Sequence, residues 1–321
     1  MLAVTVTSFC DDEPLRGLEV GDHPDVTTPD TGWEIVRVNA TSVNHHDLWS
    51  LRGVGLKTEQ LPMILGCDAA GVTADGREVV VHAVIAGDGS GAETVDAPFS
   101  LLSERYPGTH AELVAVPTRN LVGKPAELSF VEAACLPTAW LTAYRMLFVR
   151  GELRPGQRVL IQGAGGGVST AAIMLARAAG LRVYVTSRSE DKRKRALALG
   201  AHYALETGGR LPERVDAVME TVGEATWGHS LRSVEAGGVI VCAGSTSGPN
   251  PPAELQRVFY RQVRIVGSMM GTRAELTQLI RMLCDTGVRP LIDSTFPLAE
   301  AKAAYRRMHA GEFFGKIVLE P

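Results

Sequence analysis

The chain has 321 residues, which suits two domains better than one, and its 45% hydrophobic and 21% charged residues are typical of a globular protein. A formal net charge of −4 and a pI of about 6.1 are too near neutral to indicate nucleic acid or an acidic membrane surface as a partner. No apolar run approaches the roughly 18–20 residues of a transmembrane helix, and Asp11–Glu13 break the first apolar stretch. We therefore expect neither a membrane span nor a secretion signal.

Five cysteines are scattered along the chain, and no two of them lie within four residues of each other. They are Cys10, Cys67, Cys135, Cys242 and Cys284. An odd, dispersed set predicts neither a disulfide framework nor a cysteine-built structural zinc site, and it favours a reducing cytoplasm.

The first third of the chain is predicted to consist mainly of strands and loops. Glu34–Ala40, Glu78–Ala83 and Ala111–Val116 are β-rich runs, and Asp88–Gly108 is a glycine- and proline-containing loop. Phe130–Tyr144 then has helical apolar spacing, interrupted by Pro137.

After this helix a βα rhythm predicts a parallel sheet with helices on both of its faces. The predicted strands are Val159–Gln162, Val183–Ser187, Val215–Met219, Val239–Ala243 and Val263–Gly267, with one more short strand near His202–Ala204. Val168–Ala179 has the apolar spacing of a helix that ends at Gly180. Because the β-rich start cannot belong to this sheet, it must form a second domain, and the tail ends in a further strand, Lys316–Leu319.

A glycine-rich turn connects the first strand of this rhythm to the helix that follows. Gly163 and Gly165–Gly167 leave the backbone open to an anionic ligand, and the free N–H groups at the start of the helix, from Val168 onward, favour its charge. Ala164 and Ser169 replace the outer glycines of the usual Rossmann motif. The strand–turn–helix context predicts dinucleotide binding, and the alternative is a merely tight turn.

The end of the second strand predicts the choice of nicotinamide cofactor. Ser187 stands where an NAD site places a carboxylate, and Arg188 follows it, with Lys192 at the start of the next helix. A hydroxyl and a guanidinium favour the 2′-phosphate of NADP(H). The alternative is that these cations are solvated surface charges, partly neutralised by Glu190 and Asp191.

With these motifs in hand, the chain resembles the medium-chain dehydrogenase/reductase superfamily, and within it the zinc-free quinone oxidoreductase (zeta-crystallin-like) branch. The matching segments are Val43–Gly53, Leu61–Gly71, Gly108–Glu112, Leu136–Tyr144, the glycine-rich turn, Val215–Gly223, Gly237–Gly244 and Gly315–Leu319. The resemblance implies a GroES-like catalytic domain of residues 1–127 and 270–321, a Rossmann domain of residues 128–269, and an active site in the cleft between them.

The resemblance also identifies the positions at which zinc-dependent relatives hold their catalytic metal. Here they are Asn44, Cys67 and Thr138, of which Asn and Thr are poor zinc ligands. The loop from about Ala86 to Gly108, where those relatives carry a structural zinc, contains no cysteine. His45, His46, Cys67, Asp68 and His82 are the remaining potential ligands. Because adjacent side chains such as His45 and His46 do not usually converge on one ion, we expect no metal.

Hydride transfer without a Lewis acid suits a quinone or a carbonyl-conjugated double bond as the acceptor. The resemblance places Asn44 and Thr138 near the nicotinamide. Asp47 is either a structural carboxylate or a direct participant. Trp49 is expected to form an apolar wall of the substrate pocket, with His45 beside it, whereas packing roles are favoured for His46, His82 and His110. No compelling proton donor is evident.

Further cofactor contacts are expected at the ends of later strands, namely at Val222, Gly244, Ser245, Met269 and Met270. Two alternatives remain open: a zinc-independent alcohol or carbonyl oxidoreductase of a specialised pathway, and a low-turnover NADPH-binding protein. The resemblance further implies a homodimer formed through the Rossmann edge strand Val263–Gly267 and its neighbour Val239–Ala243.

Overall fold

Residues 1–86, 92–95 and 98–321 are described by a computed structural model of the chain. Part of the predicted loop Asp88–Gly108, including Gly89 and Gly91, lies outside the described residues. The chain divides into one unit formed by Met1–Ala139 and Gly271–Pro321, and a second formed by Trp140–Met270.

The first unit is built largely of short strands, as its β-rich sequence predicts. Its strands before the second unit are β1 (Leu2–Val6), β2 (Leu18–Asp22), β3 (Trp33–Val43), β4 (Met63–Ile64), β5 (Asp68–Thr73), β6 (Glu78–Val81), β7 (Val84–Ile85), β8 (Ser100–Leu101), β9 (Leu113–Pro117) and β10 (Leu121–Gly123). Its helices there are α1 (His45–Ser50) and α2 (Phe130–Ala133).

The second unit contains the predicted parallel sheet. Its elements are α3 (Leu141–Tyr144), β11 (Arg158–Ile161), α4 (Gly167–Ala178), β12 (Arg182–Thr186), α5 (Glu190–Ala198), β13 (Tyr203–Leu205), β14 (Val215–Glu220), α6 (Glu224–Ser233), β15 (Val234–Cys242), α7 (Leu255–Tyr260) and β16 (Arg264–Gly267). The strand order is β13-β12-β11-β14-β15-β16, and every neighbouring pair is parallel. The predicted α/β fold, with its extra short strand and a separate β-rich domain, is confirmed.

The chain then returns to the first unit, as the resemblance implies. It adds α8 (Arg273–Thr286), β17 (Ile292–Pro297), α9 (Ala301–Ala310) and β18 (Lys316–Glu320). The main sheet of this unit has the order β10-β6-β5-β3-β18-β17, with β9 also paired to β3. The pairing of β18 with β3 is antiparallel and sets Ile317 opposite Val43. This register brings Lys316 to the start of α1.

Each unit buries its own apolar core. In the first unit one cluster includes Leu51, Leu65, Tyr305 and Leu319, and in the second unit a cluster includes Leu160, Tyr184 and Ile240. Fully burying one such side chain contributes about 1.5–3 kcal/mol. Three of the four residues of β11 are buried, because helices cover both faces of a parallel sheet.

The predicted helix Phe130–Tyr144 is broken near Pro137. Ser129 caps α2 by accepting the Glu132 N–H, and Pro137, which has no N–H to donate, lies in a π-helical segment, Leu136–Trp140. Because α2 packs on β3 and β5, the division between the units falls after Ala139 rather than after residue 127.

Within the described ranges, no helix has both the length and the apolar character needed to cross a membrane.

Candidate active site and cofactor site

The glycine-rich turn of the second unit has the geometry that anion binding requires. Gly163 and Gly165 have φ values of +77° and +110°, which side chains larger than glycine rarely adopt. Gly166 caps α4, which begins at Gly167, so the N–H groups of Gly167 and Val168 have no partner within the helix. The turn therefore presents backbone donors at the positive end of a helix dipole.

Two further turns lie beside the glycine-rich turn at the carboxyl edge of the sheet. A Cβ on Gly163 would stand 3.2 Å from Val222 Cγ2, and one on Gly244 would stand 3.0 Å from the Thr221 carbonyl oxygen. The Ser247 N–H donates to the Val222 carbonyl at 2.7 Å. The ends of β11, β14 and β15 thus meet, as expected for a doubly wound sheet.

The remaining predicted cofactor positions follow β15 and β16 at the same edge. Ser245 comes directly after Gly244, and the Ser268 N–H donates to the Cys242 carbonyl at 2.8 Å. Met269 is half-buried and Met270 is buried, and Met270 has a φ of +41°.

A basic corner follows β12. Ser187 is 6% exposed and accepts the Arg193 guanidinium at its carbonyl oxygen, at 2.7 Å, while Arg188 is exposed. Lys192 lies in the first turn of α5, which Ser189 caps. Arg193 was not among the predicted cofactor residues, although it belongs to the basic run at Lys192–Arg195. The position directly after β12 holds the Ser187 hydroxyl instead of a carboxylate.

One acidic neighbour of this corner has its ion-pair partner on the same helix, and the alternative of solvated or neutralised charges stays open. Glu190 pairs with Lys194 at 2.8 Å, one turn along α5. Its charge is therefore directed to a different lysine.

In the first unit, the buried ammonium of Lys316 contacts Asn44. Lys316 Nζ donates to Asn44 Oδ1 at 2.6 Å and to the Val43 carbonyl at 3.1 Å, and it lies 3.4 Å from Asp68 Oδ2. The side chains of Lys316 and Asp68 are 2% and 0% exposed. Asn44 Nδ2 donates to Asp68 Oδ2 at 2.8 Å and to the Ser42 carbonyl at 3.2 Å. Lys316 was not among the predicted site residues.

This network tests whether a catalytic zinc would fit among Asn44, Cys67 and Thr138. The only side-chain oxygen of Asn44 already accepts a hydrogen bond from the Lys316 ammonium. An internal cation therefore occupies one of the three ligand positions, Asn44, and neither an amide nor a threonine hydroxyl is a good zinc ligand. The residues do not fit a catalytic zinc at this position, and no chemical step is derived through one.

The Asp47 carboxylate and the Thr138 hydroxyl oxygen are both buried. Asp47 is 0% exposed, and its Oδ2 accepts the Asn44 N–H at 2.7 Å, which fixes the start of α1. Burial raises the pKa of Asp47, but the neighbouring His46 and His110 rings outweigh burial and leave that pKa below its ordinary value. Thr138 Oγ1 is buried and has no hydrogen-bond partner within the described part of the chain.

The predicted pocket residues Trp49 and His45 both lie on α1. The Arg52 guanidinium covers the Trp49 ring, 5.1 Å from its centroid, and the exposed His45 lies 6.3 Å from the Phe313 ring. One face of the indole is therefore covered by a cation, and the role of Trp49 as a wall of the substrate pocket stays a prediction.

The other histidines have partners typical of packed residues. Buried His110 Nδ1 lies 2.9 Å from the Tyr305 hydroxyl, and His82 Nε2 lies 2.8 Å from the Gly271 carbonyl. Burial lowers the pKa of both rings.

His46 has more unusual surroundings than its neighbours. Its Nδ1 lies 3.4 Å from Cys67 Sγ, and its Nε2 lies 3.2 Å from Glu104 Oε1. Burial lowers the pKa of His46, but Cys67, Asp47 and Glu104 together raise it well above its ordinary value. Burial raises the pKa of the Cys67 thiol, and the His46 ring opposes that shift. Sequence spacing gave no sign that Glu104 belongs to this group.

Comparisons with known proteins agree with this architecture. The alcohol dehydrogenase GroES-like domain family matches residues 30–126, and the zinc-binding dehydrogenase family matches residues 167–285. The crystal structure of an NAD-dependent alcohol dehydrogenase superposes on this chain with a TM-score of 0.91. The two sequences are 33% identical, and the alignment covers the whole of each chain.

The curated relatives include proteins named as reductases. Crotonyl-CoA carboxylase/reductase of Cereibacter sphaeroides is 28% identical over 92% of this chain and 81% of its own. Quinone oxidoreductase of Mus musculus is 28% identical over 99% of this chain and 97% of its own.

A GroES-like unit and a doubly wound unit with a glycine-rich turn define a two-domain oxidoreductase. The chain belongs to the medium-chain dehydrogenase/reductase superfamily, and quinone oxidoreductases and enoyl-CoA reductases are among its homologues. The resemblance predicted from the motifs is confirmed, while the absence of zinc stays a prediction.

Proposed function

We propose that the protein is an NADPH-dependent reductase that transfers hydride to a quinone or to a carbonyl-conjugated double bond without a catalytic zinc. The observation that carries the proposal is the Lys316 ammonium on Asn44 and Asp68, at the position where a zinc-dependent relative would hold its metal. A reductase without that metal needs an acceptor that is already electrophilic, and quinones and enones meet this need.

The proposed dinucleotide site consists of residues in the second unit. Backbone donors at Gly165–Val168 would bind the pyrophosphate, and Val222, Gly244, Ser245, Met269 and Met270 would lie along the rest of the cofactor. When bound, the cofactor supplies the hydride.

The basic corner supports NADPH over NADH. The exposed Arg188 and the nearby Lys192 and Arg193 would hold a 2′-phosphate, which a carboxylate at Ser187 would repel.

In the first unit, we assign different roles to Asn44 and Thr138. Both amide hydrogens of Asn44 are engaged, by Asp68 and the Ser42 carbonyl, so Asn44 is a positioning residue and not the donor to a substrate oxygen. The Thr138 hydroxyl, which lacks a partner among the described residues, is the proposed donor to the acceptor carbonyl or the carboxamide of the nicotinamide. Water is the proposed source of the proton, since no described acid stands free for this step.

Acceptor profiling under anaerobic conditions tests the proposal. NADPH and NADH would each be offered with 1,4-benzoquinone, 9,10-phenanthrenequinone, a short enone and an aliphatic aldehyde. We expect NADPH oxidation with a quinone or the enone and none with the aldehyde. Turnover confined to the aldehyde would replace the proposal with a carbonyl oxidoreductase. Tight NADPH binding with no turnover on any acceptor would favour a cofactor-binding protein.

A homodimer through the edge of the parallel sheet is also proposed. β16 is the edge strand, and α7, which precedes it, exposes Phe259 at 69% and Tyr260 at 81%, with Ile265 of β16 at 45%. An edge strand next to exposed aromatic side chains favours association with a second copy.

A further inference from the structure

We infer that His46, Asp47 and Cys67 form a binding site for a divalent transition metal of the zinc class, which shares only Cys67 with the catalytic metal position of zinc-dependent relatives. This inference goes beyond the proposed function, which concerns acceptor reduction. The site lies in the first unit, where the first turn of α1 faces the residue before β5.

The ligand atoms are close enough for a single ion. His46 Nδ1 lies 3.4 Å from Cys67 Sγ and 3.9 Å from Asp47 Oδ1, and the three ligand atoms all lie within 4.8 Å of one another. Ligands of a tetrahedral zinc ion stand roughly 3.3–3.6 Å apart, which follows from metal–ligand distances of about 2.0–2.3 Å. A contraction of about an ångström at the longest edge would let all three residues bind one ion, with water as the fourth ligand.

An unpaired buried oxygen points to a missing partner. Asp47 is 0% exposed and its Oδ2 accepts the Asn44 N–H, but its Oδ1 is buried and has no hydrogen-bond partner within the described residues. At 3.9 Å, His46 is too distant to donate to this oxygen. A buried carboxylate oxygen without a partner is costly, and a metal ion would satisfy it.

Glu104 provides the supporting carboxylate that metal-binding histidines usually have. Its Oε1 lies 3.2 Å from His46 Nε2, and its Oε2 accepts the Leu101 N–H at 3.0 Å. A carboxylate at Nε2 keeps the proton on that nitrogen, so a metal ion would displace the proton on Nδ1 and bind there.

The chemistry of the ligands selects the kind of ion. A thiolate and an imidazole prefer zinc and similar transition metals, whereas magnesium and calcium prefer oxygen. One thiolate and one carboxylate together neutralise a divalent charge in this buried site. The expectation of a metal-free chain rested on the poor ligands Asn44 and Thr138 and, in part, on the adjacent His45 and His46. Only His46 enters this cluster, and His45 takes no part.

The site differs from the catalytic zinc position in its members. The proposed site does not use Thr138 or Asn44, whose side-chain oxygen accepts a hydrogen bond from the Lys316 ammonium. Cys67 is the one residue that the two metal positions would share. The proposed ion would link α1 to Cys67 and, through Glu104, to the segment after β8. We therefore propose that the ion stabilises this part of the first unit.

Cobalt reconstitution of the full-length, untagged protein tests the inference. After removal of bound metal with a chelator, Co²⁺ would be titrated and followed by absorption. We expect about one equivalent bound per chain, with a thiolate-to-cobalt charge-transfer band. His46→Gln and Cys67→Ser should abolish the band, and Asp47→Asn and Glu104→Gln should weaken cobalt binding about 10–100-fold.

Matched controls separate this site from other metal-binding sites. Cys10→Ser removes a thiol outside the cluster, and Thr138→Ala removes a member of the catalytic metal position; both should keep the band. Should His46→Gln or Cys67→Ser fail to fold, Glu104→Gln provides the test, because it changes only the supporting carboxylate and should still weaken cobalt binding. Absence of the band in wild-type protein, its survival in His46→Gln, or its loss in Thr138→Ala would each overturn the inference.

Discussion

Lys316 Nζ and Asn44 Oδ1 are 2.6 Å apart although 272 positions separate the two residues in the chain. The pairing of β18 with β3 brings them together and buries the ammonium against Asp68. In this protein an internal cation organises the residues around Asn44, and the proposed reaction without a catalytic zinc depends on that cation.

Replacing this cation should be strongly destabilising. We expect Lys316→Met to lower the free energy of unfolding by about 3–5 kcal/mol, because it leaves the Asp68 charge buried without its partner. Urea denaturation at neutral pH measures the loss. Lys302→Met, at an exposed position of α9, is the control and should change stability by less than about 0.5 kcal/mol. Equal stabilities of the two variants would show that the buried pair contributes nothing.

The basic corner should decide between the two nicotinamide cofactors. Arg188→Ala should weaken NADPH binding about 10–100-fold and leave NADH binding nearly unchanged, since a charge-assisted hydrogen bond contributes about 1.5–3 kcal/mol. Fluorescence titration with each cofactor measures both constants. Arg210→Ala, an exposed arginine outside the corner, should alter neither. A parallel loss of NADH affinity would place Arg188 elsewhere in the cofactor site.

The glycine-rich turn should not tolerate a side chain. Gly165→Ala forces alanine to a φ of +110° and should abolish measurable NADPH binding at micromolar cofactor concentrations. Gly208→Ala is the matched control, because Gly208 also has a positive φ, of +82°, but no atom of the described residues lies within 4 Å of where its Cβ would stand. We expect the two variants to lose similar amounts of stability, but only Gly165→Ala to lose NADPH binding. Unchanged binding in that variant would remove the turn from the cofactor site.

The proposed dimer should depend on the edge strand. Ile265→Lys places a charge on β16 and should convert a dimer to a monomer in light scattering coupled to gel filtration. Leu197→Lys, on α5, changes a residue of almost equal exposure, 46% against 45%, and should leave the dimer intact. A monomeric wild-type protein would refute the proposed assembly.

One carboxylate of the first unit should make stability depend on pH. Burial raises the pKa of Asp293, but the Arg307 guanidinium at 2.8 Å and the Phe314 N–H at 3.0 Å lower it below 3.8 overall. A lowered folded-state pKa stabilises the fold above pH 3.8, and this contribution disappears as the pH falls through the folded-state value. Asp293→Asn should therefore cost about 1–2 kcal/mol at pH 7 and almost nothing in strong acid, as measured by urea denaturation across pH. A difference that does not change with pH would contradict this.

Most of the fold was predictable because it depends on local patterns. The alternation of apolar residues in Glu34–Ala40 and the spacing in Val168–Ala179 repeat at the periods of a strand and a helix, and β3 and α4 form there. The interruption at Pro137 was predicted as well, but not the π-helical segment that forms there, because packing decides how the chain responds to the missing backbone donor.

What the sequence alone determined is the set of features that lie within one short segment: the backbone of the glycine-rich turn, the missing carboxylate at Ser187, and the family to which the chain belongs. Only the tertiary structure decided which distant side chains meet, such as Lys316 with Asn44 and His46 with Cys67 and Glu104. The physical reason is that backbone propensities act over a few residues, whereas strand pairing and core packing set the distances between residues far apart in the chain.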